Sequence, residues 1–102
     1  MYLKVEIIIP EENVNELVVV LNNEGLIGEG HYDYVYNYFP VKGHFRPLKG
    51  ASPYSGQKGK ISHVEEVQLN IRIPFEERNR TEELIRHYHP YEVPVINFIK
   101  LV

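Results

Sequence analysis

The chain reads as short runs of alternating or helical polarity cut by prolines. From Tyr2 to Ile9 the residues alternate, with Leu3, Val5, Ile7 and Ile9 on one side and Tyr2, Lys4, Glu6 and Ile8 on the other. That pattern predicts a strand. Pro10 ends it, because proline has no N–H to donate to a ladder. With Glu11 and Glu12, Pro10 also suits a first helical turn, where acids meet the positive end of the dipole. Val14, Leu17, Val18 and Leu21 then recur at i, i+3, i+4 and i+7 and predict a helix. Asn22 to Gly25 closes it, with Gly25 as a left-handed cap. Gly28-Glu29-Gly30 predicts a turn, and His31 to Phe39 a second strand with Tyr32, Tyr34, Tyr36 and Tyr38 on one face. Val64 to Ile73 predicts a third strand, with Val67, Leu69, Ile71 and Ile73 on one side and Glu66, Gln68, Asn70 and Arg72 on the other. After Pro74 comes a second helix, Glu76 to Tyr88, with an apolar edge of Leu84, Ile85 and Tyr88. Its first half is nearly all polar, and Thr81 is placed to cap a later effective start. His89 to Pro94 is a rigid connection, and Val95 to Val102 the last strand.

Between the second and third strands, Pro40 to Lys60 holds four of the seven glycines and three of the seven prolines. It predicts a long loop or an irregular hairpin. The order is β-α-β, loop, β-α-β, and the halves echo each other: Ile7-Ile8-Ile9-Pro10-Glu11-Glu12 against Ile71-Arg72-Ile73-Pro74-Phe75-Glu76. Two split β-α-β units predict an α+β, ferredoxin-like βαββαβ fold. In it both helices lie on one face of an antiparallel sheet, and a long irregular loop separates the halves. Residues 1–102 form one domain, of a size that buries a core without staples.

Composition narrows the function classes. There are no cysteines, which excludes disulfides, thiolate zinc sites and a cysteine nucleophile. No apolar run approaches the ~20 residues of a membrane span, and the acidic start does not resemble a signal peptide. A cytoplasmic protein without a membrane partner is expected. Net charge is −3, but Lys42, Arg46, Lys49, Lys58 and Lys60 fall between Pro40 and Ser62, where no acid occurs. The rest of the chain holds six bases against fourteen acids, a balance of −8. A basic segment on an acidic body attracts small anions, whereas a nucleic acid needs a broader basic surface.

Candidate chemistry is sparse. The Pro40–Ser62 segment offers Arg46 and lysines beside exposed glycine N–H groups, which would suit an anion. It contains no phosphate-binding motif, and by spacing alone a solvated loop explains it as well. His31, His44, His63, His87 and His89 have no ligand spacing, although His31 with His89 and Glu92 would make a metal site if folding brought them together. The tyrosine run is either a packed strand face or an oligomer surface. No nucleophile elbow or triad is present, so the chain is not expected to be an enzyme.

Several segments together resemble a known family. Gly28-x-Gly30-x-Tyr32 is followed by Gly43-His44-Phe45-Arg46-Pro47-Leu48-x-Gly50-Ala51-x-Pro53 and Gly56-x-x-Gly59. Val64-Glu65-Glu66-Val67, Ile73-Pro74 and His89-Pro90-Tyr91-Glu92-x-Pro94 complete the set. In order and spacing they resemble the domain inserted into NGG1-interacting-factor-3 proteins, itself similar to CutA and PII signalling proteins. The resemblance implies a ferredoxin-like domain that forms homotrimers and binds ligands at clefts between subunits, with a regulatory role. PII relatives bind nucleotides there, and CutA is linked to divalent-metal tolerance. The flanking halves that carry a dinuclear metal site in full-length relatives are outside this sequence, so no hydrolase activity is carried over. Arg78 and Glu82 stand where the family usually has apolar residues, and Val93 replaces the glutamate that usually follows His-Pro-Tyr-Glu.

The expectation is therefore a non-catalytic, self-associating binding domain for a small anionic metabolite or nucleotide. Its ligand candidates are His31, Tyr32, Arg46, Lys49, His89, Tyr91 and Glu92, with no assigned metal residues and no identified cofactor. The alternatives are a CutA-type divalent-metal binder using His31, His89 or Glu92, and a docking partner of a separate metal-site protein.

Overall fold

In the structure, a computed structural model describing residues 1–102, six regular elements follow in chain order. They are β1 (Tyr2–Ile9), α1 (Val14–Asn23), β2 (Asn37–Phe45), β3 (Ser62–Pro74), α2 (Arg78–Tyr88) and β4 (Val95–Lys100). The strands form one antiparallel sheet in the order β2-β3-β1-β4. This is the α+β, ferredoxin-like arrangement expected.

The internal echo is structural. Pro10 (φ −59°, ψ 141°) and Pro74 (φ −61°, ψ 143°) each turn the chain out of a strand into a single 3-10 turn, at Glu11–Asn13 and Phe75–Glu77. Both helices therefore start later than the acids alone suggest. Gly25 caps α1 at φ +74°, a conformation that costs glycine little.

One side of the sheet carries the core. Leu3, Val5, Ile7 and Ile9 pair across β1 and β3 with Ile73, Ile71, Leu69 and Val67, and all eight are buried. Val14, Leu17, Val18 and Leu21 of α1 and Ile85 of α2 close over them, with Leu26 and Ile27 from the segment after α1. Full burial of each such side chain contributes about 1.5–3 kcal/mol, which is what fixes the strand registers. No helix covers the other side, where Tyr2, Phe39, Phe45, Val95 and Ile99 are exposed.

Three expectations need correction. The second strand is not His31–Phe39 but Asn37–Phe45. Glu29 and Tyr32 instead close a tight turn, and Asn22 captures the chain after it: its Oδ1 accepts the Tyr34 N–H at 2.8 Å and its Nδ2 donates to Asp33. Tyr34 is held at φ +52°, so the tyrosines cannot alternate along a strand. Tyr32 and Tyr34 are exposed, Tyr36 packs on the core, and only Tyr38 lies in β2. The long loop is correspondingly shorter. Its first residues, Pro40 to Phe45, pair with β3, and Pro40 is tolerated because β2 is an edge strand. Finally, Thr81 caps nothing. It lies inside α2, fully buried, with its hydroxyl unpartnered.

The polar start of α2 has its own account. Arg78 lies over the Phe98 ring at 4.4 Å and pairs with Glu82 at 2.8 Å, and Glu82 also receives Arg86 at 3.0 Å. The two residues that depart from the family pattern are thus partners, and Arg78 covers apolar surface with its flat guanidinium.

Candidate functional site

β2 and β3 run on beyond the other strands as a long hairpin, and the molecule measures 47 × 25 × 22 Å. Where the hairpin leaves the body, on the uncovered side of the sheet, lies a cleft of about 550 Å³. Ile8 and Val95 give its apolar base. Gly43, Phe45 and Glu66 come from the hairpin. Arg46, Leu48 and Tyr54 come from the loop after β2, and Tyr91, Glu92 and Val93 from the connection between α2 and β4. The cleft is therefore made where three sequence-distant segments meet, with mostly apolar walls and a few polar groups, as ligand sites usually are.

His89 sets the position of the connection. It is buried, its Nε2 donates to the carbonyl of Ile8 at 2.7 Å, and its Nδ1 accepts the Tyr91 N–H at 3.1 Å. Both nitrogens being used in this way fixes one neutral tautomer. Burial pushes the imidazole pKa below its ordinary value, against smaller opposing effects from the Ile8 carbonyl and Glu66. Tyr91, held in place by His89, donates its hydroxyl to Glu66 Oε2 at 2.7 Å. Burial, then that hydrogen bond and the Glu66 charge, push the phenol pKa well above its usual value. Glu92 Oε2 accepts the Ser52 N–H at 3.0 Å and so ties the loop to the connection. Tyr54 leans on Tyr91 with ring centroids 5.9 Å apart.

Of the residues expected at a site, the structure brings Arg46, Tyr91 and Glu92 to the cleft, with His89 supporting Tyr91 from behind. Lys49 stands exposed in the same loop but is not part of the wall. His31 and Tyr32 lie exposed in the turn before β2, away from the cleft. The three metal-ligand candidates therefore do not form one set, and no group of three histidine, aspartate or glutamate side chains converges anywhere in the chain. Arg46, Lys42, Lys49, Lys58 and Lys60 have no carboxylate partner, whereas Arg72, Arg78, Arg80, Arg86 and Lys4 all do. Lys100 has none either, so outside the basic segment five of six bases are paired, and within it none of five is.

Glu66 and Gly43 are the site residues that sequence reasoning missed. Gly43 sits in β2 near Glu66, and a Cβ there would occupy the place of Glu66 Oε1. A glycine inside a strand signals such close approach. That signal was unreadable while Gly43 was assigned to a loop.

Comparison with known proteins agrees with this architecture. No family model matches the chain. Over 100 residues, 98% of its length, it is 40% identical to a Staphylococcus aureus (strain COL) protein named GTP cyclohydrolase 1 type 2 homolog, and covers 27% of that protein. A Staphylococcus epidermidis protein of the same name is 39% identical over the same span. The chain thus spans about a quarter of the length of the curated relatives it matches. Among solved structures it superposes on a Bacillus cereus protein related to NIF3 with a TM-score of 0.82 and 24% identity, covering 98% of this chain and 25% of that one. On CutA from Archaeoglobus fulgidus, a periplasmic divalent cation tolerance protein, the TM-score is 0.74 with 20% identity, covering 99% of this chain and 84% of that one. Along nearly its whole length the chain is homologous to one segment of the longer proteins. Its fold is that of the NIF3-related and CutA structures, as the sequence resemblance implies.

Proposed function

We propose that this chain is a non-catalytic, self-associating domain of the cytoplasm that binds a small anionic metabolite or nucleotide in the cleft beside the hairpin. The observation that carries this reading is an apolar and aromatic cleft with the unpaired guanidinium of Arg46 in its wall, beside a segment in which none of the five bases has an internal carboxylate partner. Phe45 and Tyr54 suit a flat ligand body, and Arg46 a phosphate or carboxylate. The cyclohydrolase name belongs to proteins of which this segment is about a quarter, and no activity is carried over from it. CutA's link to divalent cations favours a metal reading less here, because His89 uses both ring nitrogens internally and His31 is in another turn. The uncovered sheet face, with its exposed aromatic and aliphatic side chains, supports the self-association proposed here, with a trimer as the expected mass.

Thermal unfolding with nucleotides, phosphate and carboxylates tests the cleft, since a ligand at 100 times its Kd raises stability by about 2.7 kcal/mol. Arg46→Ala is expected to weaken the responding ligand by about tenfold or more. A chain indifferent to every anion, and monomeric by light scattering at all concentrations, would overturn the reading.

A further inference from the structure

The cleft contains one group that binding an anion does not use. Glu66 projects from the uncovered side of β3, yet it is only 7% exposed. Its Oε2 takes the Tyr91 hydroxyl, its Oε1 has no hydrogen-bond donor, and no lysine or arginine pairs with it. The residue as a whole is buried, yet Oε1 is not sealed among protein atoms, and its accepting capacity is left to whatever occupies the cleft. Anchoring Tyr91 uses Oε2 alone and leaves Oε1 free to meet a ligand. Gly43 leaves the room that the carboxylate needs, and the group lines the cleft. The same cleft is lined by Phe45, Tyr54 and Tyr91, whose ring faces favour a flat cation or an electron-poor heterocycle.

From this geometry we infer that Glu66 is the specificity residue of the cleft, selecting ligands that present paired N–H donors: a guanidinium, an amidinium or a 2-aminopurine edge. The inference rests on the reading of the cleft as a ligand site and adds the other end of the ligand. One end is anionic and lies toward Arg46, and the other gives two parallel N–H groups to the carboxylate, the arrangement that matches its oxygens best. A ligand with the same anion but fewer donors leaves Glu66 unpaired, and sites with a buried polar group reject such analogues strongly.

Isothermal titration of the full chain with two matched pairs tests this. The first pair is γ-guanidinobutyrate against heptanoate, and the second is guanosine monophosphate against inosine monophosphate. Within each pair the anion is kept and N–H donors are removed, and the pairs separate the guanidinium source from the purine source. The expected result is a preference of about tenfold or more for the donor-rich member of one pair. Glu66→Gln should collapse that preference, while Arg46→Ala weakens both members of the pair alike. Equal binding within both pairs, still dependent on Arg46, would overturn the inference and leave the anion site standing. No binding of any of the four would overturn both. If Glu66→Gln does not fold, Tyr91→Phe replaces it: the carboxylate is kept with Oε2 freed, so the preference should rise, and its loss would overturn the inference. A change of solution mass in Glu66→Gln without a change in preference would assign Glu66 to a subunit contact instead.

Discussion

Gly43 and Glu66 share one small volume, and only one of them can have a side chain there. Gly43→Ala puts a methyl where Glu66 Oε1 lies, with the Val64 side chain 3.2 Å away on another side. It is expected to cost about 1–3 kcal/mol of stability, read as a lower urea midpoint. His89 gives a pH dependence. Its folded pKa lies below the 6.5 of the free imidazole, so the unfolded chain takes up the proton first. The contribution of neutral His89 is complete above that value and is lost as pH falls from it toward the folded pKa. The urea midpoint should therefore drop as pH falls below about 6.5, and His89→Gln should flatten that slope. Glu6 is held below the ordinary carboxylate range by hydrogen bonds from Asn97 and Lys4, and Glu82 by Arg86 and Arg78. Their losses fall at more acid pH and do not mask the histidine. Arg46, Tyr91 and Glu92 were named as candidates through the basic segment and the family resemblance, and the structure places all three in the wall of the cleft. Glu66 was not, since on alternation alone it is one more polar residue on a solvated strand face.

At the scale of the element, α2 carries an avoidable cost. Thr81 is fully buried with its hydroxyl unpartnered, so Thr81→Val should raise stability by about 1 kcal/mol, seen as a higher melting temperature. Exposed pairs such as Arg80 with Glu77 and Glu24 should each matter far less, because solvent screens them. The strands and α1 could be read from polarity because each buries one clean stripe against the sheet. The start of β2 could not. Alternation of tyrosines predicts a strand wherever the backbone is free to extend. Here the side chain of Asn22, 12 residues upstream of Tyr34, captures the backbone first. That is a tertiary contact, and no local window of sequence contains it.

At the scale of the whole molecule, charge is divided between a body of −8 and a hairpin loop of unpaired bases. Anion affinity at the cleft should fall as salt rises from 50 to 300 mM, because the Debye length shrinks below ~10 Å across that range. Titrations at both ionic strengths check this, and a salt-independent affinity would place the anion away from the loop. One further property follows from the pairing of β1 with β4. Leu3 sits opposite Lys100, and the Leu101 N–H reaches the carbonyl of Tyr2 at 3.0 Å. The path into the fold and the path out of it are therefore a single doorway. A unit of this kind can be spliced into a turn of a larger protein without prising that protein apart, which accounts physically for how the same fold is accommodated within relatives about four times its length.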